Sequence, residues 1–129
     1  MDKMSVLIVD DEERFRITMS RLLQAKGMSV MSAATGDEAL KELASNPYDV
    51  VVLDIKMPGI SGIETFKLMK QMGCTAEVVI LSGHASVDTA LEIIELGAYD
   101  YLLKPCDTED LIAKISLAYE RKLERQRHF

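Results

Sequence analysis

The sequence predicts a single α/β domain built on a parallel five-stranded sheet. Its 129 residues make one ordinary domain, and 48% of them are hydrophobic, which is enough for a real core. Five short apolar runs each precede a segment with helical spacing of apolar residues. Because the connections between these pairs are short, each helix is expected to cross over from one strand to the next. The strands then run parallel, and helices cover both faces of the sheet.

The first two strand–helix pairs occupy the amino-terminal third. "SVLIVD" (5–10) is the first strand, and the helix after it can end at Gly27. One face of that helix carries Phe15, Met19, Leu22 and Leu23. "MSVMSA" (28–33) is the second strand. Thr35 followed by Glu38 forms a capping box, which predicts the start of the second helix.

The third and fourth pairs follow the same pattern. "YDVVVLD" (48–54) is a near-continuous apolar run, as expected for a strand buried on both faces. A second capping box, Ser61 with Glu64, opens the third helix. "EVVILS" (77–82) is the fourth strand, and Ser86 is the predicted cap of the fourth helix.

The fifth strand is "YDYLLKP" (99–105), and Asp107 caps the last helix. This helix carries a core-facing stripe and continues to the end of the chain without a breaker. A second apolar stripe consists of Ile112, Tyr119 and Leu123. It is either an exposed helix end or a surface for a dimer.

Composition excludes several functional classes. The formal net charge of −6 and the pI near 4.9 oppose non-specific DNA binding by the body of the domain. Cys74 and Cys106 lie far apart, without the spacing of a zinc site or a disulfide framework. With no long apolar segment and no signal peptide, the sequence predicts a cytoplasmic protein that does not contact the membrane.

Polar side chains arrive together at the carboxyl ends of the strands, where doubly wound sheets bind ligands. They are Asp10, Asp11, Asp54, Ser82 and Lys104. Each alone is an ordinary turn or helix-start residue. Together, three carboxylates repel one another unless a cation lies between them, and hard oxygen ligands suit Mg²⁺. The set therefore predicts a phosphoryl group carried on, or delivered to, a carboxylate.

The motifs "VLIVDDE", "VVLDIKMPGISG", "VILSGHA" and "GAYDYLLKP" together resemble the receiver domain of two-component response regulators over nearly the whole chain. The resemblance implies a flavodoxin-like strand order of 2-1-3-4-5. It also implies that Asp54 accepts a phosphoryl group from a phosphohistidine of a sensor histidine kinase. Asp10, Asp11, Asp54 and the backbone carbonyl of Lys56 would hold Mg²⁺.

The same resemblance assigns the remaining roles. Lys104 would pair with the new phosphate, and Ser82 would donate its hydroxyl to a phosphate oxygen. Tyr101 would be the aromatic switch whose ring turns inward when that hydroxyl moves, and Pro105 would follow a cis peptide bond. Lys56 and His84 flank the phosphate in ways that leave their effects open.

The resemblance also implies a division of the chain into a receiver domain, 1–120, and a helical extension or linker, 121–129, toward an absent output domain. The surface of the fourth helix, fifth strand and fifth helix would be the output face. It would control an output domain or partner, with transcription as the expected process. A homodimer would use this face or the C-terminal helix, and direct contact with nucleic acid is not expected.

Residues 82–105 look like receivers of the nitrogen-regulation type, which precede an ATPase domain that activates an alternative sigma factor. On this reading the protein is a signalling switch that assists its own phosphorylation and dephosphorylation, and not a turnover enzyme.

Two other classes share parts of the pattern. A flavodoxin would have the same architecture, but the acidic "DDEE" (10–13) would repel its cofactor phosphate. A Mg²⁺-dependent phosphatase of the haloacid-dehalogenase type also forms an aspartyl phosphate, but it uses Asp-x-Asp after the first strand and usually a cap domain. Here the acids are adjacent and the chain has no room for a cap.

Overall fold

The computed structural model describes residues 3–83 and 87–127, and the description of residue 87 is limited to its backbone. Strands and helices alternate along these residues. The strands are β1 (Ser5–Val9), β2 (Ser29–Ala33), β3 (Val50–Leu53), β4 (Glu77–Ser82) and β5 (Asp100–Leu103). The helices are α1 (Glu13–Ala25), α2 (Gly36–Ser45), α3 (Gly62–Gln71), α4 (Val87–Glu95) and α5 (Thr108–Arg127).

The strands form one parallel sheet in the order β2-β1-β3-β4-β5, so the predicted fold class and strand order are confirmed. Because β1 and β3 are neighbours, Val9 pairs with Leu53, and the residues that follow both strands emerge side by side. β1 is also the point where the strand order reverses, which is where such sheets form their binding crevice.

Both faces of the sheet are buried, which explains the near-continuous apolar strands. One core cluster lies under α2, α3 and α4 and contains Leu7, Leu53, Phe66, Met69, Ile80 and Ile93. The other lies under α1 and α5 and contains Ile8, Leu23, Val52, Leu81, Leu111 and Ile115. Ile112 and Tyr119, from the second stripe of α5, are partly buried against this second cluster.

Two predicted helix caps are confirmed. The Thr35 hydroxyl accepts the N–H of Glu38 at 3.1 Å, and the Ser61 hydroxyl accepts the N–H of Glu64 at 3.1 Å. At the start of α5, the Asp107 carboxylate accepts the N–H of Glu109 at 3.2 Å. The predicted cap Ser86 lies outside the described residues.

The turn between β3 and α3 depends on a glycine. A Cβ on Gly62 would lie 2.1 Å from the carbonyl oxygen of Asp54 and 2.6 Å from the Cα of Ile55. The N–H of Gly62 donates to the Ile55 carbonyl at 2.8 Å. Only glycine allows the start of α3 to pack this closely on the end of β3, so Gly62 helps to place Asp54.

The predicted bounds of β4 are confirmed, and the other four strands differ from the prediction by one or two residues at one or both ends. β5 is shorter than 99–105, because its last ladder contact, from the Lys104 N–H to the Ser82 carbonyl at 2.9 Å, is followed by a proline without an N–H. The Lys104–Pro105 peptide bond is cis, as expected.

Within the described part of the chain, we find no helix with the length and apolarity needed to cross a bilayer. The cytoplasmic location stays a prediction.

Candidate functional site

The carboxyl edge of the sheet carries a cluster of three aspartates. Asp10 follows β1 and Asp54 follows β3, and both are buried, with 2% and 7% of their surface exposed. Asp11 is exposed at the rim. One carboxylate oxygen from each of the three lies within 4.8 Å of the others. The structure thus brings together the acids that the sequence placed at strand ends.

Lys104, which follows β5, reaches into this cluster. Its Nζ lies 2.6 Å from Asp10 Oδ2 and 3.7 Å from Asp54 Oδ2. It also lies 3.2 Å from Glu12 Oε1 and 4.6 Å from the centre of the Phe15 ring. Sequence reasoning did not identify these last two contacts, although the third consecutive acid after β1 was a visible signal for Glu12.

The pKa values show how the cluster is balanced. Burial raises the pKa of Asp54 above its ordinary 3.8, Lys104 lowers it, and the charges of Asp10 and Asp11 raise it again. Burial lowers the pKa of Lys104, but its hydrogen bond with Asp10 and the nearby carboxylates raise it overall. One ammonium therefore does not neutralise the site.

This charge balance fits a divalent cation. Three carboxylates converge within 4.8 Å, and oxygen ligands in small number are what Mg²⁺ takes in proteins, with waters completing its shell. Among the described residues, this cluster has no cysteine sulfur and no histidine imidazole, the ligands that favour zinc. Asp10, Asp11 and Asp54 are thus a fitting set for Mg²⁺.

Ser82 and Tyr101 connect the site to the fifth strand. Ser82 ends β4 and is fully buried. Burial raises the pKa of Tyr101, a hydrogen bond with the Ser82 side chain lowers it, and the charge of Asp54 raises it. Tyr101 also packs against the first core cluster. The ring expected to turn inward on switching therefore already contacts Ser82 in this structure.

The other predicted site residues are placed in part. The backbone N–H of Lys56 donates to Asp54 Oδ1 at 3.4 Å. Its carbonyl as a metal ligand stays a prediction, and His84 lies outside the described residues. A groove of about 440 Å³ opens beside Asp11 and is lined by residues 55–58 and Ser61, next to the loop that follows Asp54.

Comparison with known protein families gives a match to the response regulator receiver domain over residues 6–116. The chain belongs to this family. This family match decides between the receiver and the flavodoxin and phosphatase alternatives, in favour of the receiver.

Curated relatives of the receiver are longer proteins. This chain is 38% identical over 129 residues to a putative NtrX-like response regulator of Rickettsia conorii. The match covers 98% of this chain and 27% of that protein. The chain is 34% identical over 126 residues to the DNA-binding transcriptional regulator NtrC of Salmonella typhimurium, again covering 98% of this chain and 27% of the relative. The chain thus spans about a quarter of the length of these relatives.

Solved structures share the fold along most of both chains. A CheY-like receiver from Methanospirillum hungatei superposes with a TM-score of 0.92 at 25% identity, covering 96% of this chain and 99% of the other. The beryllofluoride-activated NtrC4 receiver dimer gives a TM-score of 0.86 at 36% identity, covering 92% and 98%. TrrA from Thermotoga maritima, in complex with Mg²⁺ and BeF, gives 0.79 at 32% identity, covering 89% and 98%.

Proposed function

We propose that this receiver takes a phosphoryl group from a sensor histidine kinase onto Asp54 in the presence of Mg²⁺. The observation that carries the proposal is the buried carboxylate of Asp54, held between two further aspartates and Lys104 at the mouth of the crevice. A relative with the same fold is described as a complex with Mg²⁺ and BeF, which supports the same pairing of metal and phosphoryl site here.

The chemistry is a substitution at phosphorus. A carboxylate oxygen of Asp54 forms the new P–O bond while the P–N bond to the kinase histidine breaks, and the electron pair of that bond returns to the imidazole nitrogen. Such transfers depend on positioning and charge stabilisation more than on covalent assistance. The N–H of Lys56 and the packing of Gly62 hold Asp54 for in-line attack.

Two charged groups make the product tolerable at a buried edge. Phosphorylation adds about −1.5 to −2 charges. Lys104 is close enough to Asp54 to pair with the new phosphate if it gives up its contact with Asp10 or Glu12. Asp10, Asp11, Asp54 and the Lys56 carbonyl would hold Mg²⁺, which supplies positive charge to the carboxylate and the phosphoryl oxygens when bound.

Readout begins at the Ser82–Tyr101 hydrogen bond. If the Ser82 hydroxyl turns to a phosphate oxygen, Tyr101 loses that partner and its packing against the core changes. The affected surface comprises α4, β5 and α5, which expose Leu91, Ile94, Leu103 and Leu117. These side chains suit a partner surface, either an output domain or a second receiver copy, and one relative is described as a receiver dimer.

The process controlled by this switch is transcription of the nitrogen-regulation type. Support comes from the NtrC and NtrX-like relatives, which share this domain and are about four times as long. The domain contributes to its own phosphorylation and dephosphorylation but does not turn over a substrate.

The test is phosphorylation by a small donor, acetyl phosphate or phosphoramidate, followed by intact-mass spectrometry. The wild type with Mg²⁺ is expected to gain one phosphate. Removal of Mg²⁺ by a chelator is expected to abolish this gain. Asp54→Asn should gain none.

Ser61→Ala serves as the matched control, because it removes a helix cap beside the groove while keeping all the proposed ligands. It should still be phosphorylated. Equal labelling of Asp54→Asn in an acid-stable form would overturn the assignment of Asp54.

A further inference from the structure

A second charged cluster lies at the amino end of the sheet, away from the phosphorylation site. Glu77 begins β4 and is 1% exposed. Its carboxylate binds two arginines from the last turns of α5. Arg121 donates from Nε at 2.8 Å and also from Nη2 to the same oxygen, Oε2. Arg125 Nη1 lies 2.7 Å from the other oxygen, Oε1.

A second pair lies beside the first. Lys122, with 8% of its surface exposed, places Nζ 2.8 Å from Asp49 Oδ1 just before β3. The other oxygen of Asp49 accepts the N–H of Ser5 at the start of β1, at 2.8 Å. Three cations on two successive turns of α5 thus meet acids at the beginnings of β3 and β4, and Asp49 links this cluster to the start of β1. We refer to Asp49, Glu77, Arg121, Lys122 and Arg125 as the ionic latch.

Arg121 extends the ionic latch toward the fifth strand. Its Nη2 donates to the carbonyl of Gly97 at 3.1 Å, in the turn between α4 and β5. Its guanidinium also lies 4.9 Å from the centre of the Tyr99 ring, just before β5. One side chain of α5 therefore contacts β4, the end of α4 and the entry to β5, and a planar guanidinium is suited to these simultaneous contacts.

Burial explains why these contacts matter. Burying a carboxylate such as Glu77 is costly unless opposite charges lie beside it. Oε2 of Glu77 accepts hydrogen bonds from Arg121, whereas Oε1 has Arg125 at ion-pair distance and accepts no hydrogen bond from the described residues. If the last turns of α5 separated from the sheet, Glu77 would remain in place without its cations. Unfolding of these turns therefore leaves the Glu77 carboxylate without a compensating charge. An ordinary helix end has no such cost when it frays.

We propose that the ionic latch fixes the last two turns of α5 to the amino end of the sheet and makes them part of the receiver body. The boundary predicted after residue 120 then moves beyond Arg125, and α5 is held in a fixed orientation relative to β4 and β5. The ionic latch is a property of the unphosphorylated fold and does not depend on the proposed transfer to Asp54.

Amide hydrogen exchange on the full chain, read by peptide-level mass spectrometry, tests the ionic latch. Arg121→Met is expected to accelerate exchange at residues 119–127 by at least about tenfold, because Glu77 loses its principal partner. The slowest amides of β1 and β3 exchange through global unfolding, so their exchange should rise only in step with the loss of unfolding free energy. The milder Arg125→Met, at a more exposed side chain, should give a smaller increase confined to the same residues.

Lys114→Met is the matched control, since it breaks an ion pair of the same helix with an acid, Asp100, whose side chain is 32% exposed, against 1% for Glu77. It should leave exchange at 119–127 unaltered. In the double variant Glu77→Met/Arg121→Met the buried charge is gone, so exchange should return toward the wild-type rate. The proposal is overturned if both arginine variants exchange like Lys114→Met at residues 119–127, or if Arg121→Met accelerates exchange in the core strands and not at residues 119–127.

Discussion

The two ends of the sheet carry the same kinds of charged side chain but differ in how well those charges are balanced. At the amino end, Glu77 and Asp49 face three cations from α5, and every acid has a close partner. At the carboxyl end, Asp10 and Asp54 share a single lysine with Glu12, and Asp11 adds a further negative charge. One end is neutralised by the chain itself, and the other is not.

This difference separates structure from function. A buried carboxylate whose charge is compensated by cations of the chain favours one arrangement, which is why we propose that the amino end holds α5 in place. At the carboxyl end, burial and the charges of Asp10 and Asp11 raise the pKa of Asp54, and the shortage of positive charge leaves room for a cation and an anion from outside. The carboxyl end is therefore where Mg²⁺ and a phosphoryl group can change the energy of the protein.

The largest expected effect comes from removing a cation at the neutralised end. Arg121→Met should lower the free energy of unfolding by about 3 kcal/mol, because it leaves buried Glu77 with one partner in place of two. Urea denaturation measures this loss. Lys114→Met, on the solvent side of the same helix, should change the midpoint little, and equal losses in the two variants would remove the distinction between the ends.

A smaller loss is expected from a methyl group beside Asp54. Gly62→Ala places a Cβ against the Asp54 carbonyl, so the start of α3 must shift, at a cost of about 2 kcal/mol. Phosphorylation by a small donor should also slow, because Asp54 moves with that turn. Gly83→Ala is the control for stability, since the added Cβ would lie 4.0 Å from the Lys104 Cβ, and its urea midpoint should stay near the wild type.

The sequence predicts the charged cluster at the carboxyl end of the sheet but not the one at the amino end, for a physical reason. Strand ends in a parallel sheet are ordered by the fold, so Asp10, Asp54 and Lys104 could be placed together once the strands were recognised. Glu77 and Arg121 are 44 residues apart, and no local pattern pairs them. Which face of a helix meets which strand end depends on packing, so Glu77 looked like an ordinary strand-start residue.

The smallest effect has the opposite sign. Because the folded-state pKa of Asp54 is raised, the folded protein holds a proton that the unfolded chain has lost, and stability from this group falls as pH rises from 3.8 through the folded pKa. In chelator, Asp54→Asn should therefore be more stable than the wild type at neutral pH, and the gain should vanish near pH 3.8.

Urea midpoints across this pH range measure the gain, and added Mg²⁺ should shrink it by stabilising the wild type. A less stable Asp54→Asn protein at neutral pH would show that the carboxyl end is not short of positive charge.

Asp54 is the residue that we propose carries the phosphate. Borohydride reduction of the protein after treatment with a phosphodonor converts an aspartyl phosphate to homoserine, which peptide sequencing by mass spectrometry locates. Homoserine is expected at position 54 in the presence of Mg²⁺, and aspartate is expected there in its absence. Homoserine at Asp10 or Asp11, or a phosphate that resists reduction, would contradict the proposal.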